Sequence, residues 1–225
     1  MRRAVLFDFD GTLIDTWRLY LEAFRRALEP HFGRRLTDRE ILDLKPTAER
    51  RLLERVVDAE RFAGSFRLFL SHYEALHDSH CDGLYPGVAS MLDELRANGW
   101  LIGIVTGKSR AAWTTTCTKA SLAPFDVVIT DDDVFHPKPH AEGLIAAMEK
   151  LNVFACETCY IGDSLLDAQA AQEAGMAFGA AFWSKPVDEH ATFRLGLRGI
   201  HHYELHAPKE VVESLRARTG GSTVS

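Results

Sequence analysis

The sequence lacks any long apolar stretch of the kind that crosses a membrane. Among its 225 residues there is no run of about 18 uncharged apolar residues, which is roughly the length that a spanning helix needs. The apolar segment after Arg3 is interrupted by Asp8, which leaves it too short for the apolar region of a secretory signal. We therefore expect a cytoplasmic protein that does not associate with membranes.

Positive charge is also scarce. The chain has 26 lysines and arginines against 32 aspartates and glutamates, a formal net charge of -6. A nucleic-acid-binding surface normally requires a basic field, so we expect no nucleic-acid partner. The same negative field repels anionic small molecules, and an anionic substrate would have to be attracted by local positive charge or by a metal ion.

Cysteine is infrequent, with four residues in the chain. Cys156 and Cys159 have the spacing of half a zinc site, but no second pair of cysteines or histidines stands at the spacing that would complete it. We interpret the thiols as reduced and structural, as expected in a cytoplasmic protein.

What the sequence does contain is an alternation of short apolar runs and longer helical patterns. Its 46% hydrophobic and 26% charged residues are ordinary for a globular protein. The apolar runs are mostly continuous, which is typical of buried parallel strands, and they lie near residues 4–7, 101–105, 127–129, 160–161 and 176–181. Helical patterns occupy about 87–98, 108–120, 140–151 and 164–174. This order predicts an α/β protein with a doubly wound parallel sheet, which binds ligands beyond the carboxyl ends of its strands.

Residues from about 16 to 80 break this alternation, because only helical patterning is visible there. A helical insertion directly after the first strand predicts a small all-helical cap domain beside the sheet. The turn-rich segment 81–87 would lead back to the core. We predict a core domain of residues 1–15 and 86–225 and a cap domain of residues 16–85, joined by two linkers that act as a hinge.

Four aspartates follow predicted strands. Asp8 and Asp10 lie two residues apart, which places both on one side of an extended segment. Asp163 and Asp167 stand at the start of a predicted helix, about one turn apart. Converging carboxylates repel one another unless a cation compensates their charge, and oxygen ligands of this kind suit Mg²⁺ better than zinc. The cluster therefore predicts a Mg²⁺ cofactor.

Two other strand ends supply groups that can bind an anion. Thr106 and Gly107 offer a hydroxyl and backbone N–H groups at the start of a helix, where phosphate oxygens bind readily. Lys138 stands between Pro137 and Pro139, which exclude it from a helix interior and stiffen its loop. A lysine held in this way can balance the charge of a phosphoryl group.

Together these segments resemble the haloacid dehalogenase-like superfamily. Its four motifs are matched in order by Asp8–Asp15, by Val105-Thr106-Gly107, by Lys138-Pro139 and by the segment from Gly162 to Asp167. The helical insertion resembles the type 1 cap of that superfamily. Within this group the chain is most similar to phosphoglycolate phosphatases and their pyrophosphatase relatives.

The resemblance implies a role for each aspartate. Asp8 would attack phosphorus and form a covalent aspartyl-phosphate, and Asp10 would protonate the leaving oxygen and then activate water. Mg²⁺ would be bound by Asp8, by the backbone carbonyl of Asp10 and by Asp163, with Asp167 in a supporting position. Asp10 also disfavours a dehalogenase or a phosphonate-cleaving enzyme, because the resemblance implies that both lack an acid at this position.

The same resemblance implies that Thr106 and the Gly107 amide bind phosphoryl oxygens and that Lys138 balances the charge of the nucleophile and the phosphate. The expected activity is hydrolysis of a small phosphorylated metabolite, a phosphate monoester, by a monomer or homodimer. Three alternatives stay open. They are a phosphomutase, which returns the phosphoryl group to a sugar, an inorganic pyrophosphatase, and a catalytically idle regulatory protein.

The predicted substrate loop of the cap departs from the family pattern. It reads Leu42-Asp43-Leu44-Lys45-Pro46-Thr47, where relatives often carry a glycine. Our hypothesis is that Lys45, with Arg50 or Arg51, binds the non-phosphate end of the substrate.

Other polar and aromatic residues have less specific interpretations. His72, His77 and His80 have no acid at ligand spacing, and we expect them on the surface. The run Asp131–Asp133 is expected to form a solvated loop. Trp17 is expected in the core or at its rim rather than as a stacking platform.

Overall fold

The computed structural model describes residues 3–45 and 48–220, so Pro46 and Thr47 of the predicted substrate loop lie outside the described residues. Its centre is a parallel sheet of six strands in the order β5-β4-β1-β6-β7-β8, while β2 and β3 form a separate antiparallel pair. The strands are β1 Ala4–Phe7, β2 Ile14–Asp15, β3 Gly83–Leu84, β4 Leu101–Val105, β5 Val127–Ile129, β6 Thr158–Gly162, β7 Ala177–Ala181 and β8 His202–Leu205.

The central strands form where the sequence has continuous apolar runs. All four residues of β1 are buried, and the register places Phe7 opposite Ile104 of β4 and Ile161 of β6. Separate apolar clusters lie on the two faces of the sheet, one containing Leu6 and the other Phe7. Because both faces are covered, both sides of β1 must be apolar.

Helices alternate with the strands of the core and also fill the insertion. They are α1 Trp17–Phe32, α2 Asp38–Asp43, α3 Glu49–Val56, α4 Ala59–His80, α5 Val88–Ala97, α6 Arg110–Lys119, α7 Glu142–Leu151, α8 Leu165–Glu173, α9 His190–Gly196 and α10 Lys209–Gly220. Helices α5 to α8 agree with the predicted segments to within two residues at each end, and the predicted doubly wound α/β fold is confirmed. Within the described part of the chain, no helix has the length and apolar character needed to cross a bilayer.

Helices α1 to α4 fill the region that the sequence predicts to be entirely helical. They pack around an apolar cluster of their own, which includes Phe24 and Tyr73. The two segments that connect these helices to the sheet are held together by the β2–β3 pair, where the Asp82 amide donates to the Asp15 carbonyl at 3.0 Å. We propose the cap boundaries at residues 15/16 and 85/86, where these connections run side by side.

Two of the surface expectations are wrong. His77 in α4 is only 4% exposed, and its Nε2 atom has no hydrogen-bond partner among the described residues. Asp131 is buried too, since the Arg51 side chain of α3 covers its loop and donates to it at 2.7 Å. Trp17, in contrast, is 53% exposed at the start of α1, which places it at the rim rather than in the core.

Candidate active site

The predicted site residues come together at one edge of the sheet. Asp8 follows β1, Thr106 follows β4 and Asp163 follows β6. These three strands are neighbours, so their carboxyl ends lie side by side. Lys138 reaches the same place from the loop before α7, and all four residues line one cavity of about 680 Å³ whose wall also includes residues of α1.

Three carboxylates form a compact cluster in this cavity. One oxygen from each of Asp8, Asp163 and Asp167 lies within 4.8 Å of the others. Burial raises the pKa of Asp8 to about 8; Lys138 opposes this shift, and the charges of Asp167 and Asp163 add to it. Burial also raises the pKa of Asp163. Burial therefore favours the neutral forms of these carboxyl groups unless a cation compensates their charge.

Gly11 lets the loop after β1 approach these carboxylates closely. Its φ is 79°, and a Cβ atom at this position would lie only 2.8 Å from Asp163 Oδ2. Any larger residue would displace the Asp163 side chain or the loop. The first motif therefore needs glycine here for two reasons, the positive φ and the close approach to Asp163.

Lys138 is the cation nearest to the proposed nucleophile. Its Nζ atom lies 3.0 Å from Asp8 Oδ1 and 2.6 Å from Asp167 Oδ1, and it donates to the Tyr160 hydroxyl at 3.1 Å. Burial lowers the pKa of Lys138, but the neighbouring Asp167 and Asp8 outweigh it and hold this pKa above the usual value. The ammonium group therefore stays charged beside Asp8.

Asp167 is fully buried and already bound through both oxygens. Oδ1 accepts from Lys138, and Oδ2 accepts from the Ser164 amide at 3.0 Å and from the Ser164 hydroxyl at 2.5 Å. The Asp167 amide donates back to Ser164 Oγ at 3.2 Å, which completes a capping box at the start of α8. Asp167 is thus in direct contact with Lys138 and fixed at the start of α8.

The Asp10 side chain lines the cavity but is not part of the carboxylate cluster. Its Oδ1 accepts from the Thr16 hydroxyl at 2.5 Å and from Lys108 Nζ at 2.9 Å. Thr16 immediately precedes α1, so Asp10 contacts the start of the helical insertion whereas Asp8 contacts Lys138. The two aspartates of the first motif therefore have separate cationic partners within one cavity.

Lys108 is a site residue that sequence reasoning missed. Its side chain is 0% exposed, and besides Asp10 its Nζ atom donates to the Tyr20 hydroxyl at 3.0 Å. The ammonium group also lies 4.3 Å from the ring centroid of Tyr20 and 4.7 Å from that of Tyr73. In the sequence, only its position directly after Thr106 and Gly107 indicates a role in the site. Its aromatic partners lie far away in the chain, in α1 and α4.

Glu49 was also missed, and it joins α3 to the loop that contains Thr106. Its carboxylate is fully buried and accepts hydrogen bonds from the Tyr20 hydroxyl and from the Ser109 amide, the latter at 2.7 Å. Burial raises the pKa of Glu49, while Lys108 opposes the shift. A continuous set of contacts therefore connects Asp10, Lys108, Tyr20 and Glu49.

Thr106 and Gly107 lie where a phosphoryl group could be bound. The Thr106 amide donates to the Ile129 carbonyl at 3.0 Å, and its hydroxyl accepts from the Lys108 amide at 3.2 Å. Ser109 then caps α6 by accepting from the Ala112 amide. These bonds hold the loop at the amino end of α6, beside the cavity, which is a favourable place for an anion.

The basic residues predicted to read the substrate are not brought to this cavity. Lys45 is exposed and does not belong to the described lining. Arg51 binds Asp131 and the Val134 carbonyl instead, and Arg50 pairs with Glu54. These arginines connect or stabilise elements around α3 rather than facing the carboxylates.

The donor set fits a hard divalent cation. Asp8 and Asp163 present buried carboxylates whose pKa values are raised by burial, and carboxylate oxygens suit Mg²⁺. Ser184 Oγ lines the same cavity and is buried without a hydrogen-bond partner among the described residues, which leaves it able to bind water. Lys185 Nζ lies 3.1 Å from Asp163 Oδ2 and supplies part of the charge.

Comparison with known proteins agrees with this geometry. Residues 5–181 match the family model of the haloacid dehalogenase-like hydrolases. Pyrophosphatase PpaX of Bacillus mycoides is 30% identical over 94% of this chain and 92% of its own length. A Lactobacillus plantarum structure assigned as a phosphoglycolate phosphatase is 27% identical, with a TM-score of 0.74 over 95% of this chain and 99% of the other.

A second solved structure, assigned as a haloacid dehalogenase-like hydrolase from Bacteroides fragilis, is 28% identical and has a TM-score of 0.71. It covers 93% of this chain and 100% of its own. The chain therefore belongs to the haloacid dehalogenase-like hydrolase family, which confirms the predicted family, fold and enzyme class, a phosphatase.

Proposed function

We propose that this enzyme is a Mg²⁺-dependent phosphatase that cleaves a small phosphate monoester through an aspartyl-phosphate on Asp8. The observation that carries the proposal is the placement of the buried Asp8 carboxylate 3.0 Å from Lys138, in the lining of a cavity large enough for a metabolite. An Asp8 carboxylate kept ionised by Lys138 and a bound cation would be suited to attack on a phosphoryl group, since positive charge offsets the repulsion between the two anions.

In the first half-reaction, an Asp8 oxygen forms a bond to phosphorus and the bond between phosphorus and the ester oxygen breaks. The bonding electron pair leaves with that oxygen, which takes a proton from Asp10. Asp10 can serve the leaving oxygen because its side chain lines the same cavity on the α1 side, apart from the carboxylate cluster that contains Asp8.

In the second half-reaction, water attacks phosphorus and gives its proton to Asp10, while the bond between phosphorus and Asp8 breaks. Asp8 and free phosphate are regenerated. Thr106 and the Gly107 amide would bind the phosphoryl oxygens, and Lys138 would balance their charge in both steps. Asp167 keeps Lys138 in place.

Mg²⁺ would be held by Asp8, the Asp10 carbonyl and Asp163, and when bound it would neutralise negative charge on the phosphoryl group. This assignment is supported by the oxygen-only donor set and by the raised pKa values of Asp8 and Asp163. Asp167 would take a supporting position, since its two oxygens already accept hydrogen bonds from Lys138 and Ser164.

Hydrolysis of inorganic pyrophosphate is the second candidate function. It is favoured by the relative from Bacillus mycoides, which is named a pyrophosphatase and is 30% identical over most of the chain. The nucleophile and the phosphoryl-binding residues would be the same, with phosphate as the leaving group in place of an alcohol.

Phosphate release from a panel of phosphorylated metabolites and from pyrophosphate, with Mg²⁺, tests both candidates. Release from monoesters that stops with EDTA and returns with Mg²⁺ is the expected result. Release from pyrophosphate alone would favour the second candidate. A folded, Mg²⁺-loaded enzyme that releases phosphate from neither class would refute the proposal.

A further inference from the structure

The lining of the active-site cavity contains more acidic than basic side chains. Among the described lining residues there are three lysines and no arginine or histidine, against six acids, namely Asp8, Asp10, Asp15, Glu49, Asp163 and Glu189. A phosphoryl dianion and a divalent cation roughly cancel, and with Asp10 protonated as the proposed general acid the described lining still has five acids against three lysines. A second anionic group on a substrate would therefore be repelled.

The three lysines are also engaged by acids of the same cavity. The Nζ atoms of Lys138, Lys108 and Lys185 lie 3.0, 2.9 and 3.1 Å from oxygens of Asp8, Asp10 and Asp163, respectively. A carboxylate or second phosphate on the leaving group would have to compete with these contacts. The described lining thus offers no dedicated cation for it.

The wall formed by the helical insertion includes an aromatic and apolar patch. Trp17, Leu21 and Phe24 of α1 line it, together with Leu42 of α2 and Tyr85. Trp17 is 53% exposed and Leu42 36% exposed, although both are large and hydrophobic. Exposed apolar side chains at the edge of a polar cavity typically mark ligand-binding surface.

The backbone of Trp17 is anchored where α1 begins. It is the first residue of α1, and its amide donates to Asp15 Oδ1 at 3.1 Å. Its half-exposed indole ring presents an apolar face at the rim of the cavity, where it can stack on a flat group. Contrary to the expectation from the sequence, these features favour Trp17 as a stacking surface, and it is the most exposed aromatic residue of the described wall.

We propose that the preferred substrate is a phosphate monoester whose alcohol part is uncharged and carries a planar ring, and that Trp17 stacks on that ring. This inference rests on the proposed phosphatase function and narrows it. It disfavours phosphoglycolate, bisphosphates and pyrophosphate, because each places a second anion in the acidic cavity.

Three matched esters test separately the preference for an uncharged alcohol part and the preference for a planar ring. Ethyl phosphate is the reference; phosphoglycolate replaces its methyl group with a carboxylate, and benzyl phosphate replaces it with a phenyl ring. We expect kcat/KM with Mg²⁺ to be about tenfold higher for benzyl phosphate than for ethyl phosphate, as expected for one stacked ring. We expect kcat/KM for phosphoglycolate to be several-fold lower than for ethyl phosphate.

Variants at position 17 test the contact itself. Trp17→Ala should lower the benzyl-to-ethyl ratio about tenfold, mainly through a higher KM for benzyl phosphate, since stacking on the leaving group is uniform binding. Trp17→Phe should keep most of the ratio. Phe154→Ala, which removes a 75% exposed ring from the segment preceding β6, at the opposite end of that strand from Asp163, is the matched control and should leave the ratio unchanged.

Each outcome bears on a separate claim. Equal kcat/KM for the three esters, or a preference for phosphoglycolate, would overturn the inference while leaving the phosphatase function intact. An unchanged ratio in Trp17→Ala would exclude Trp17 as the stacking residue. Absence of phosphate release from every ester by folded, Mg²⁺-loaded enzyme would refute the proposed function and the inference together.

Discussion

At the scale of single residues, Asp8 shows how the fold prepares one carboxylate for attack. It is 8% exposed, lies 3.0 Å from Lys138 and shares its surroundings with two other acids. Asp8→Asn keeps the shape of the side chain but removes the anionic oxygen that would bond to phosphorus. We expect turnover to fall more than about a thousandfold, a loss of several kcal/mol of transition-state stabilisation.

Steady-state phosphate release with the preferred ester measures this loss. Asp58→Asn, which alters an exposed aspartate before α4, serves as the control and should retain wild-type turnover. If Asp8→Asn kept near-normal turnover, Asp8 could not be the nucleophile.

Lys185 is expected to compete with Mg²⁺ for the carboxylate of Asp163. Its ammonium group lies 3.1 Å from Asp163, which is one of the proposed Mg²⁺ ligands. A fixed positive charge at this distance repels a divalent cation, so Lys185→Met should bind the ion several-fold more tightly. Titration calorimetry with Mg²⁺ in the absence of substrate measures the dissociation constant.

The control for this titration is Lys150→Met, which removes a lysine from the exposed end of α7 and should bind Mg²⁺ like the wild type. Weaker binding in Lys185→Met than in the wild type would mean that Lys185 supports the ion rather than opposing it.

At the scale of secondary-structure elements, α4 contains a pH-sensitive residue. Burial lowers the pKa of His77; Lys119 adds to this shift, and Asp78 opposes it. The unfolded chain binds a proton near the ordinary histidine value of about 6.5, whereas the folded chain resists it. The unfolded state therefore holds more protons as the pH falls below this value, and the free energy of unfolding decreases.

We expect His77→Phe to lose less stability than the wild type between about pH 7.5 and pH 5.5, because phenylalanine removes the titrating group and keeps a ring next to Tyr73. Urea denaturation at both pH values gives the comparison. His201→Phe, at an exposed position beside Tyr203, should behave like the wild type. Identical pH dependence for His77→Phe and the wild type would contradict the assignment.

The elements also show which parts of the fold are predictable from sequence. β1 and β4 were predicted because a strand buried on both faces needs a continuous apolar run. β8 was not predicted, because it lies at the edge of the sheet and three of its four residues are only partly buried. Such a strand needs no continuous apolar run, and its sequence mixes polar and apolar residues. Helix α9, which precedes β8, and helix α10, which follows it, were missed as well, because neither segment has a clear apolar period.

In the site, too, residues with a local sequence pattern could be predicted and residues that depend on distant contacts could not. Asp8, Thr106, Lys138 and Asp163 could be predicted because each directly follows a strand or stands in a proline-rich loop. Lys108 could not, because its burial depends on Tyr20 and Tyr73, which are distant in sequence and belong to the helical insertion. Contacts between the insertion and the sheet leave no local pattern in the chain.

At the scale of the whole molecule, the folded chain gathers buried acids that destabilise it at neutral pH. The raised pKa values of Asp8 and Asp163 mean that folding disfavours their charged forms. A cation that binds only the folded chain offsets this cost, and its stabilisation reaches about 2.7 kcal/mol at a hundredfold excess over the dissociation constant. We therefore expect Mg²⁺ to raise the melting temperature by several degrees, with a larger shift at higher concentration.

Thermal unfolding followed by circular dichroism, with and without Mg²⁺, measures the shift, and sodium chloride at equal ionic strength controls for general screening. Asp163→Asn removes one proposed ligand, so its melting temperature should rise less with Mg²⁺ than that of the wild type. A wild-type shift no larger than the one that sodium chloride produces would argue against ion binding by the carboxylate cluster. A full shift in Asp163→Asn would place the ion elsewhere, because a site that loses a charged ligand among three clustered carboxylates cannot keep its affinity.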